Sequence, residues 1–558
     1  MHMTGAHIVW EALTREGVDT VFGYPGGNVL SLYDALQDFP GIRHVLSRHE
    51  QGACHMADGY ARASGRTGVV LATSGPGATN LVTGLATAMM DSVPLVALTG
   101  QVGRAVLGSD AFQEVDFMGV TLPITKHNYL VMNAEDIAPT LREAFAIARH
   151  GRPGPVVVDI TRDAQKASAD PDWDRPLSGR HLRHVPPAPA AEAVAKALRL
   201  LNWADRPVIL AGHGVILAGA TAALRTLAER AAAPIATTLL GLGCIPASHP
   251  LNLGMMGLHG EAWVNQAIQE ADLILALGMR FDDRATGALD AFASRAKKIH
   301  VEMDACEINK NVTVDLPIHA DVRQVLERLL EQLEPKRRDA WVAHVQGLRG
   351  QARAGAILDA PGALSGPQVI HDLAQATAGK ALVVTGVGQH QMWAAQYYAH
   401  QQENGQITSG GLGTMGFALP AAIGAKLARP DRDVWVVDGD GGFQMNMQEL
   451  MTLVQEGVKI NIAIINNGYL GMVRQLQEVY CESRYQAVAM LNPDFVKLAD
   501  AFGLPGVLVE RRDQVLPAIR QAQEAPGPFL IEFQVDKELS VFPMVPAGAG
   551  LDQMLRRG

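Results

Sequence analysis

Two oxygen donors stand 27 positions apart: Asp440 in Val434-Trp435-Val436-Val437-Asp438-Gly439-Asp440-Gly441-Gly442, and Asn467 in Ile462-Ala463-Ile464-Ile465-Asn466-Asn467-Gly468-Tyr469. Each closes an apolar run of strand length. Hard oxygens of this kind suit Mg²⁺, which keeps further positions for phosphate oxygens and water. Gly441 and Gly442 carry no Cβ, so N–H groups at the start of a following helix can approach a diphosphate closely. The expected chemistry is a Mg²⁺–diphosphate clamp. An ordinary Asp-Gly turn explains the first run alone, but not its coincidence with a second strand at crossover distance.

For the donors to converge, the two runs must be neighbouring parallel strands joined by a crossover helix, so that their carboxyl ends adjoin. A separate carboxylate, Glu50, follows the apolar part of His44-Val45-Leu46-Ser47-Arg48-His49 and opens a helix through Met56, Ala57, Tyr60 and Ala61. An acid there is also stabilised by first-turn N–H groups and the helix dipole, so its position alone fits simple capping. With the clamp in the same chain, it is a candidate proton-transfer group.

Strand-like and helix-like segments alternate in three blocks, which predicts an α/β protein of three doubly wound parallel-sheet domains. The expected limits are 1–165, 190–335 and 366–540, followed by a tail over 541–558. The separators are a Pro-rich stretch over 164–190 and a second irregular stretch over 334–366, with Lys336-Arg337-Arg338-Asp339 and Pro361-Gly362. Blocks one and three repeat one theme. Strand-like Thr20 to Phe22, Val69 to Ala72, Leu95 to Leu98 and Val156 to Val158 are matched by Leu382 to Val384, Val434 to Val437, Ile460 to Ile465 and Phe529 to Ile531.

Across 558 residues, 48% hydrophobic content is enough for several cores. Lys plus Arg number 47 against 57 for Asp plus Glu, a net charge of −10 without an extended basic run, so nucleic acid is not an expected partner. The four cysteines, Cys54, Cys244, Cys306 and Cys481, form no CxxC pair and read as thiols of a reducing compartment. No basic leader with an apolar core and no run of 18 apolar residues occurs. A soluble, cytoplasmic chain without membrane partners is expected.

The Asp440–Asn467 arrangement resembles the thiamine diphosphate motif, GDG followed by NN. Along its whole length the chain resembles the catalytic subunits of the acetohydroxyacid synthase (acetolactate synthase) family. The likeness is carried by Phe22-Gly23-Tyr24-Pro25-Gly26-Gly27, Arg48-His49-Glu50-Gln51-Gly52-Ala53, Thr73-Ser74-Gly75-Pro76-Gly77-Ala78-Thr79-Asn80 and Asp110-Ala111-Phe112-Gln113-Glu114. It continues in Arg280-Phe281-Asp282-Asp283-Arg284, Val387 to Trp393, Gly410 to Gly416 and Gly471-Met472-Val473-Arg474-Gln475.

The resemblance implies roles. Glu50 becomes the proton-relay acid for the aminopyrimidine, with Gln113 and Phe112 beside the reacting carbon. Val387, Gly388, Gln389, His390, Gly413, Met415, Gly439, Gly441, Gly442 and Met472 would line thiamine diphosphate, Met415 as the prop that bends it. Asp440, Asn467 and the Tyr469 carbonyl would hold Mg²⁺. His390 and Met415 are otherwise readable as a structural histidine and a gap-filling thioether.

Block two carries a weaker pattern of residues that follow strand-like segments: Gly212, Gly214, Thr238, Leu239, His259, Gly278, Arg280, Asp282 and Glu302. Glycine-ended strands usually only turn. The resemblance adds Asp321 and Arg162 and implies FAD in a structural role.

The implied reaction decarboxylates pyruvate and ligates the two-carbon unit to a second 2-oxo acid in branched-chain amino acid biosynthesis. Pyruvate as acceptor gives 2-acetolactate, and 2-oxobutanoate gives 2-aceto-2-hydroxybutanoate. Arg284 is the candidate for the acceptor's carboxylate; a surface ion pair with Asp282 or Asp283 is its plain alternative. Departures from the family pattern fall around that pocket: Leu476 where tryptophan is usual, Leu258 for methionine, Gly103 for proline or serine, Asn28 for alanine, and Arg162 for lysine. Losing an indole removes a rigid face for the extra methyl of 2-oxobutanoate, so weak acceptor discrimination and weak sulfonylurea inhibition are expected.

Other readings are a different pyruvate-using thiamine enzyme, such as an oxidase or decarboxylase, a noncatalytic paralogue, and a nicotinamide dehydrogenase. The last rests on the literal GxGxxG of Gly411 to Gly416, preceded by Gln406-Ile407-Thr408-Ser409, which is a poor apolar strand. The resemblance further implies a homodimer or homotetramer whose active sites lie between chains, Glu50 and Asp440 coming from different subunits, with room for a separate regulatory small subunit.

Overall fold

The computed structural model describes residues 2–351, 358 and 362–556. Among them are three six-stranded sheets, all parallel, and one small antiparallel pair, Met3–Thr4 with Ser168–Ala169. Their central strands are Val-, Ile- and Leu-rich and buried on both faces, the composition that helices on both sides of a parallel sheet demand.

The first sheet runs Arg43–Leu46, Thr20–Gly23, Gly68–Ala72, Leu95–Gln101, Pro155–Thr161, His127–Val131. Numbered within the sheet, that is 2-1-3-4-6-5. The third sheet has the same order in Gln406–Thr408, Leu382–Thr385, Val434–Gly439, Asn461–Asn466, Phe529–Gln534, Gly506–Val509. The middle sheet differs: Asn252–Met255, Ile235–Thr237, Pro207–Ala211, Leu273–Leu277, Lys297–Glu302, Leu316–His319, or 3-2-1-4-5-6, the dinucleotide-binding order.

The first and third sheets are joined by two helices, each following the second strand of its own sheet. Helix Glu50–Ser64 packs antiparallel on helix Ala418–Ala428. Small residues set the separation: a Cβ on Gly59 would overlap the Ala421 carbonyl oxygen, and one on Gly424 the Met56 carbonyl oxygen. A single apolar cluster therefore runs from Val45 and Phe22 through this helix pair to Val436 and Ile462.

Two expectations need correction. Gln406–Thr408 is a strand, paired in parallel with Leu382–Thr385. It lies at a sheet edge, so one buried residue per face suffices: Ile407 packs inward, and Thr408 Oγ1 accepts the Thr385 hydroxyl at 2.7 Å. The separator over 334–366 is partly helical, with Asp339–Gln351 capping the middle domain through buried Trp341 and Val345. Arg338 is buried, its guanidinium donating to the carbonyls of Leu201, Ala204 and Ala231 at the ends of two helices. A charged run thus supplies a buried helix C-cap. Pro361 lies outside the described residues. No helix among the described residues is long and apolar enough to cross a membrane.

Candidate active site

In the third sheet the order reverses between Leu382–Thr385 and Val434–Gly439, which places Gly386 to His390 beside Asp438 to Gly442. Asp440 opens the short helix Asp440–Phe443, and Asn467 follows the next strand, whose Ile465 is in register with Gly439. Both donors therefore occupy adjoining strand ends, as the spacing requires. Asn492 Nδ2 donates to Asp440 Oδ2 at 2.7 Å, and Asn467 Nδ2 donates to Gln389 Oε1 at 3.1 Å. Burial raises the Asp440 carboxyl above its ordinary value, opposed by the Asn492 hydrogen bond and neighbouring N–H groups.

Beneath them His390 and Asp438 form a buried floor. His390 Nε2 lies 3.4 Å from Asp438 Oδ1. Burial lowers the imidazole to about 3, so it is neutral, and raises the Asp438 carboxyl to about 8, with the Asp440 charge adding to the rise. A Cβ on Gly388 or Gly439 would come within 2.9 Å of the His390 ring, and one on Gly442 would overlap Asp438 Oδ1. Gly442 is thus required by its own floor as much as by any ligand. Gln389, Met415, Gly441, Tyr469 and Met472 complete this small cleft.

A second cleft of about 620 Å³ opens at the middle sheet's reversal between Pro207–Ala211 and Leu273–Leu277. There Gly214 and Gly278 abut so closely that a Cβ on Gly214 would lie 2.7 Å from Gly278 Cα. Gly214, Thr238, Leu239, His259, Arg280, Asp282, Glu302 and Asp321 line it; Gly212 precedes Gly214 at the rim. Burial pushes the Glu302 carboxyl up to about 7 while its Oε1 accepts the Met303 N–H at 2.9 Å. The buried His259 ring is lowered to about 4, its Nδ1 without a partner among the described residues. Val387, Gly388 and Met472 line both clefts, which therefore meet. Arg284, Leu258 and Leu476 line the larger cleft, Leu476 one helical turn beyond the shared Met472. Arg284 pairs with Asp283 at 3.6 Å while 71% exposed, the surface ion pair of its plain alternative.

Sequence reasoning missed Arg152, which lines the larger cleft, held by Ser92 Oγ at 2.8 Å and by Asp304 and Glu307. A lone arginine in a Gly-Pro loop carries no recognisable pattern. Arg162 is exposed in the helix Arg162–Lys166 and does not line that cleft.

The first sheet carries a separate group. Asn80 Nδ2 donates to Glu50 Oε2 at 2.9 Å. Gln113, in left-handed conformation at φ 61°, lies against Gly75, and Phe112 beside it is 88% exposed. Asn28 and Gly103 are nearby: Asn28 Nδ2 donates to Ser74 Oγ at 2.6 Å, and Gly103 approaches Asp163. None of these residues lines the small cleft. Glu50 precedes Gly59 by nine residues, which carries it about 14 Å along its helix from the Ala421 contact, whereas Met415 lies beyond the opposite end of the Ala418–Ala428 helix. Glu50 and Met415 therefore lie at opposite ends of this helix pair.

The cleft residues suit the groups implied above. Asp440, Asn467 and backbone carbonyls offer only hard oxygens, fitting Mg²⁺. The Gly214–Gly278 contact leaves bare backbone at a dinucleotide-type reversal, and His259, whose buried Nδ1 has no partner among the described residues, lines the cleft that FAD would fill.

Three family models match in succession: thiamine pyrophosphate enzyme, N-terminal TPP binding domain, over residues 3–120; the central domain over 194–329; and the C-terminal TPP binding domain over 386–533. The chain is 48% identical to the acetolactate synthase large subunit of Corynebacterium glutamicum, over 98% of this chain and 89% of that one. It is 45% identical to the acetolactate synthase isozyme 2 large subunit of Escherichia coli K12, over 100% of both. It is 44% identical to the chloroplastic acetolactate synthase 2 of Nicotiana tabacum, over 99% and 85%. Metal-donor spacing, paired 2-1-3-4-6-5 sheets and full-length similarity lead to one conclusion: the chain belongs to the acetolactate synthase family of thiamine diphosphate enzymes.

Proposed function

We propose that this protein decarboxylates pyruvate on thiamine diphosphate and joins the two-carbon unit to a second 2-oxo acid, forming 2-acetolactate or 2-aceto-2-hydroxybutanoate. The observation that carries this reading is the convergence of Asp440 and Asn467 on the sheet reversal that also presents Gly388 and Met415. Thiamine diphosphate, when bound, supplies the electron sink.

In this reading Asp440, Asn467 and the Tyr469 carbonyl would hold Mg²⁺, and Met415 would support thiamine diphosphate. Glu50 holds or releases a proton at its Oε1, while Asn80 fixes Oε2. Gln113 and Phe112 flank the reacting carbon and exclude water. Arg152 and Glu302 line the larger cleft and would hold FAD there as a structural group. Arg284 leaves its exposed partner Asp283 to take the carboxylate of the acceptor. The domains extend over 1–165, 190–335 and 366–540, with 541–558 as a tail.

Glu50 and Met415 lie at opposite ends of the central helix pair in one chain, so the complete site needs a second copy in a homodimer or a homotetramer. The exposed Phe112 supports this, because an aromatic side chain that must exclude water needs cover. Since relatives are named large subunits, a regulatory small subunit is a further partner. Leu476 leaves the acceptor pocket without an indole, and Asn28, Gly103 and Arg162 belong to the half-site that the second copy would contribute.

Incubation with pyruvate, with and without 2-oxobutanoate, in the presence of thiamine diphosphate, Mg²⁺ and FAD tests the proposal by product identification. Acetohydroxy acids are expected. Acetaldehyde or acetyl phosphate as the main product would overturn it.

A further inference from the structure

The literal GxGxxG of Gly411 to Gly416 is not explained by phosphate binding alone, because its Gly411 and Thr414 amides are already engaged. Asp91, at the end of the helix Val82–Asp91 of the first sheet's domain, accepts the Gly411 N–H on Oδ1 at 2.7 Å and the Gly410 N–H on Oδ2 at 3.0 Å. A Cβ on Gly411 would come within 2.9 Å of Met90 Cβ and 3.0 Å of Asp91 Oδ1. Gly411 is therefore a docking glycine, not a phosphate-binding one.

Behind Asp91 lies a buried ion triad. Arg62 pairs with Asp58 at 2.6 Å and with Asp91 at 2.8 Å, and donates to the Thr408 carbonyl at 2.9 Å. The two carboxylates exceed the one guanidinium by a negative charge, which the Gly410 and Gly411 N–H dipoles offset. Thr87 and Thr414 hydroxyls meet at 2.7 Å, and the Thr414 N–H donates to Ser409 Oγ at 2.9 Å. The Asp91 backbone carbonyl contacts His213 Nδ1 of the middle domain at 3.2 Å. All three domains thus touch Asp91.

The loop so held forms a wall of both clefts. Gly410 to Gly413 line the larger, and Met415 lines the smaller. We propose that Asp91 is a positioning residue: backed by Arg62, it fixes the Gly410–Met415 loop from the first domain and so sets both cofactor clefts together. This inference rests on the assignment of those clefts to FAD and thiamine diphosphate.

The test compares Asp91→Asn with Asp58→Asn in the full chain. Asp58 shares the triad and its burial but does not touch the loop, so it reports the merely structural cost. Asp91→Asn is expected to raise the thiamine diphosphate concentration for half-saturation at least tenfold and to lower the FAD retained through gel filtration. Asp58→Asn is expected to leave both within twofold while lowering the melting temperature. Equal cofactor binding in the two variants overturns the inference. If Asp91→Asn yields no folded protein, Thr87→Val carries the test: a several-fold rise in half-saturation is expected, and an unchanged value overturns the inference. An unaltered chain that binds neither cofactor would instead refute the functional reading itself.

Discussion

At the scale of single residues, the two half-sites make separable demands. Glu50→Gln keeps the hydrogen bond to Asn80 but cannot relay a proton, so kcat is expected to fall about 10²- to 10⁴-fold with thiamine diphosphate affinity nearly unchanged. A comparable loss of affinity would show that Glu50 only anchors the ring. Leu476 is 38% exposed in the larger cleft, leaving room for a larger face. Leu476→Trp should raise the ratio of 2-aceto-2-hydroxybutanoate to 2-acetolactate about tenfold in a competition assay, the range a methyl contact supplies. No change in the ratio would remove Leu476 from acceptor choice. Glu449 offers a pH test. Fully buried, it accepts the Arg48 N–H at 3.0 Å two residues before Glu50, and burial raises its carboxyl from 4.5 to about 7. With a folded value above the unfolded one, its stabilising contribution is complete below pH 4.5 and is lost as pH rises through about 7, a change of about 3 kcal/mol. Melting temperatures of Glu449→Gln relative to the unaltered chain should therefore climb between pH 5 and 8. A constant difference would refute the linkage.

Among the elements, the glycine contacts of the central helix pair are the most sensitive. Gly424→Ala forces a methyl against the Met56 carbonyl oxygen. The resulting separation of the helices should cost about 1–3 kcal/mol, read as a lower melting temperature without a change in isolated secondary structure. The strands were largely legible in the sequence because parallel strands buried on both faces are near-continuous apolar runs, as in Val434 to Val437. The convergence of Asp440 and Asn467 was legible because each ends such a run. Gln406–Thr408 was not, since an edge strand needs little apolar signal. Arg338 was not, because nothing local distinguishes a guanidinium that will cap two helix ends from one bound for solvent. Nor was Arg152, whose partners lie 60 to 155 residues away. The roles expected of His390 and Met415 come only through family resemblance; locally His390 belongs to a buried floor and Met415 lines the small cleft.

For the whole molecule, the opposed half-sites predict complementation. Glu50→Gln and Asp440→Ala chains should each be nearly inactive, yet their mixture after subunit exchange should regain up to about a quarter of full activity, since half the dimers then hold one intact site. No recovery would mean that each site is built within one chain. The antiparallel pairing of Glu50–Ser64 with Ala418–Ala428 has a further consequence, in mass action. It joins two sheets of identical strand order as a symmetric dimer would, but within one polypeptide, where their effective concentration is fixed by the chain. Dilution cannot part them. In the proposed dimer, activity lost on dilution would therefore report only the other contact, at which Glu50 of one copy would meet Asp440 of the next.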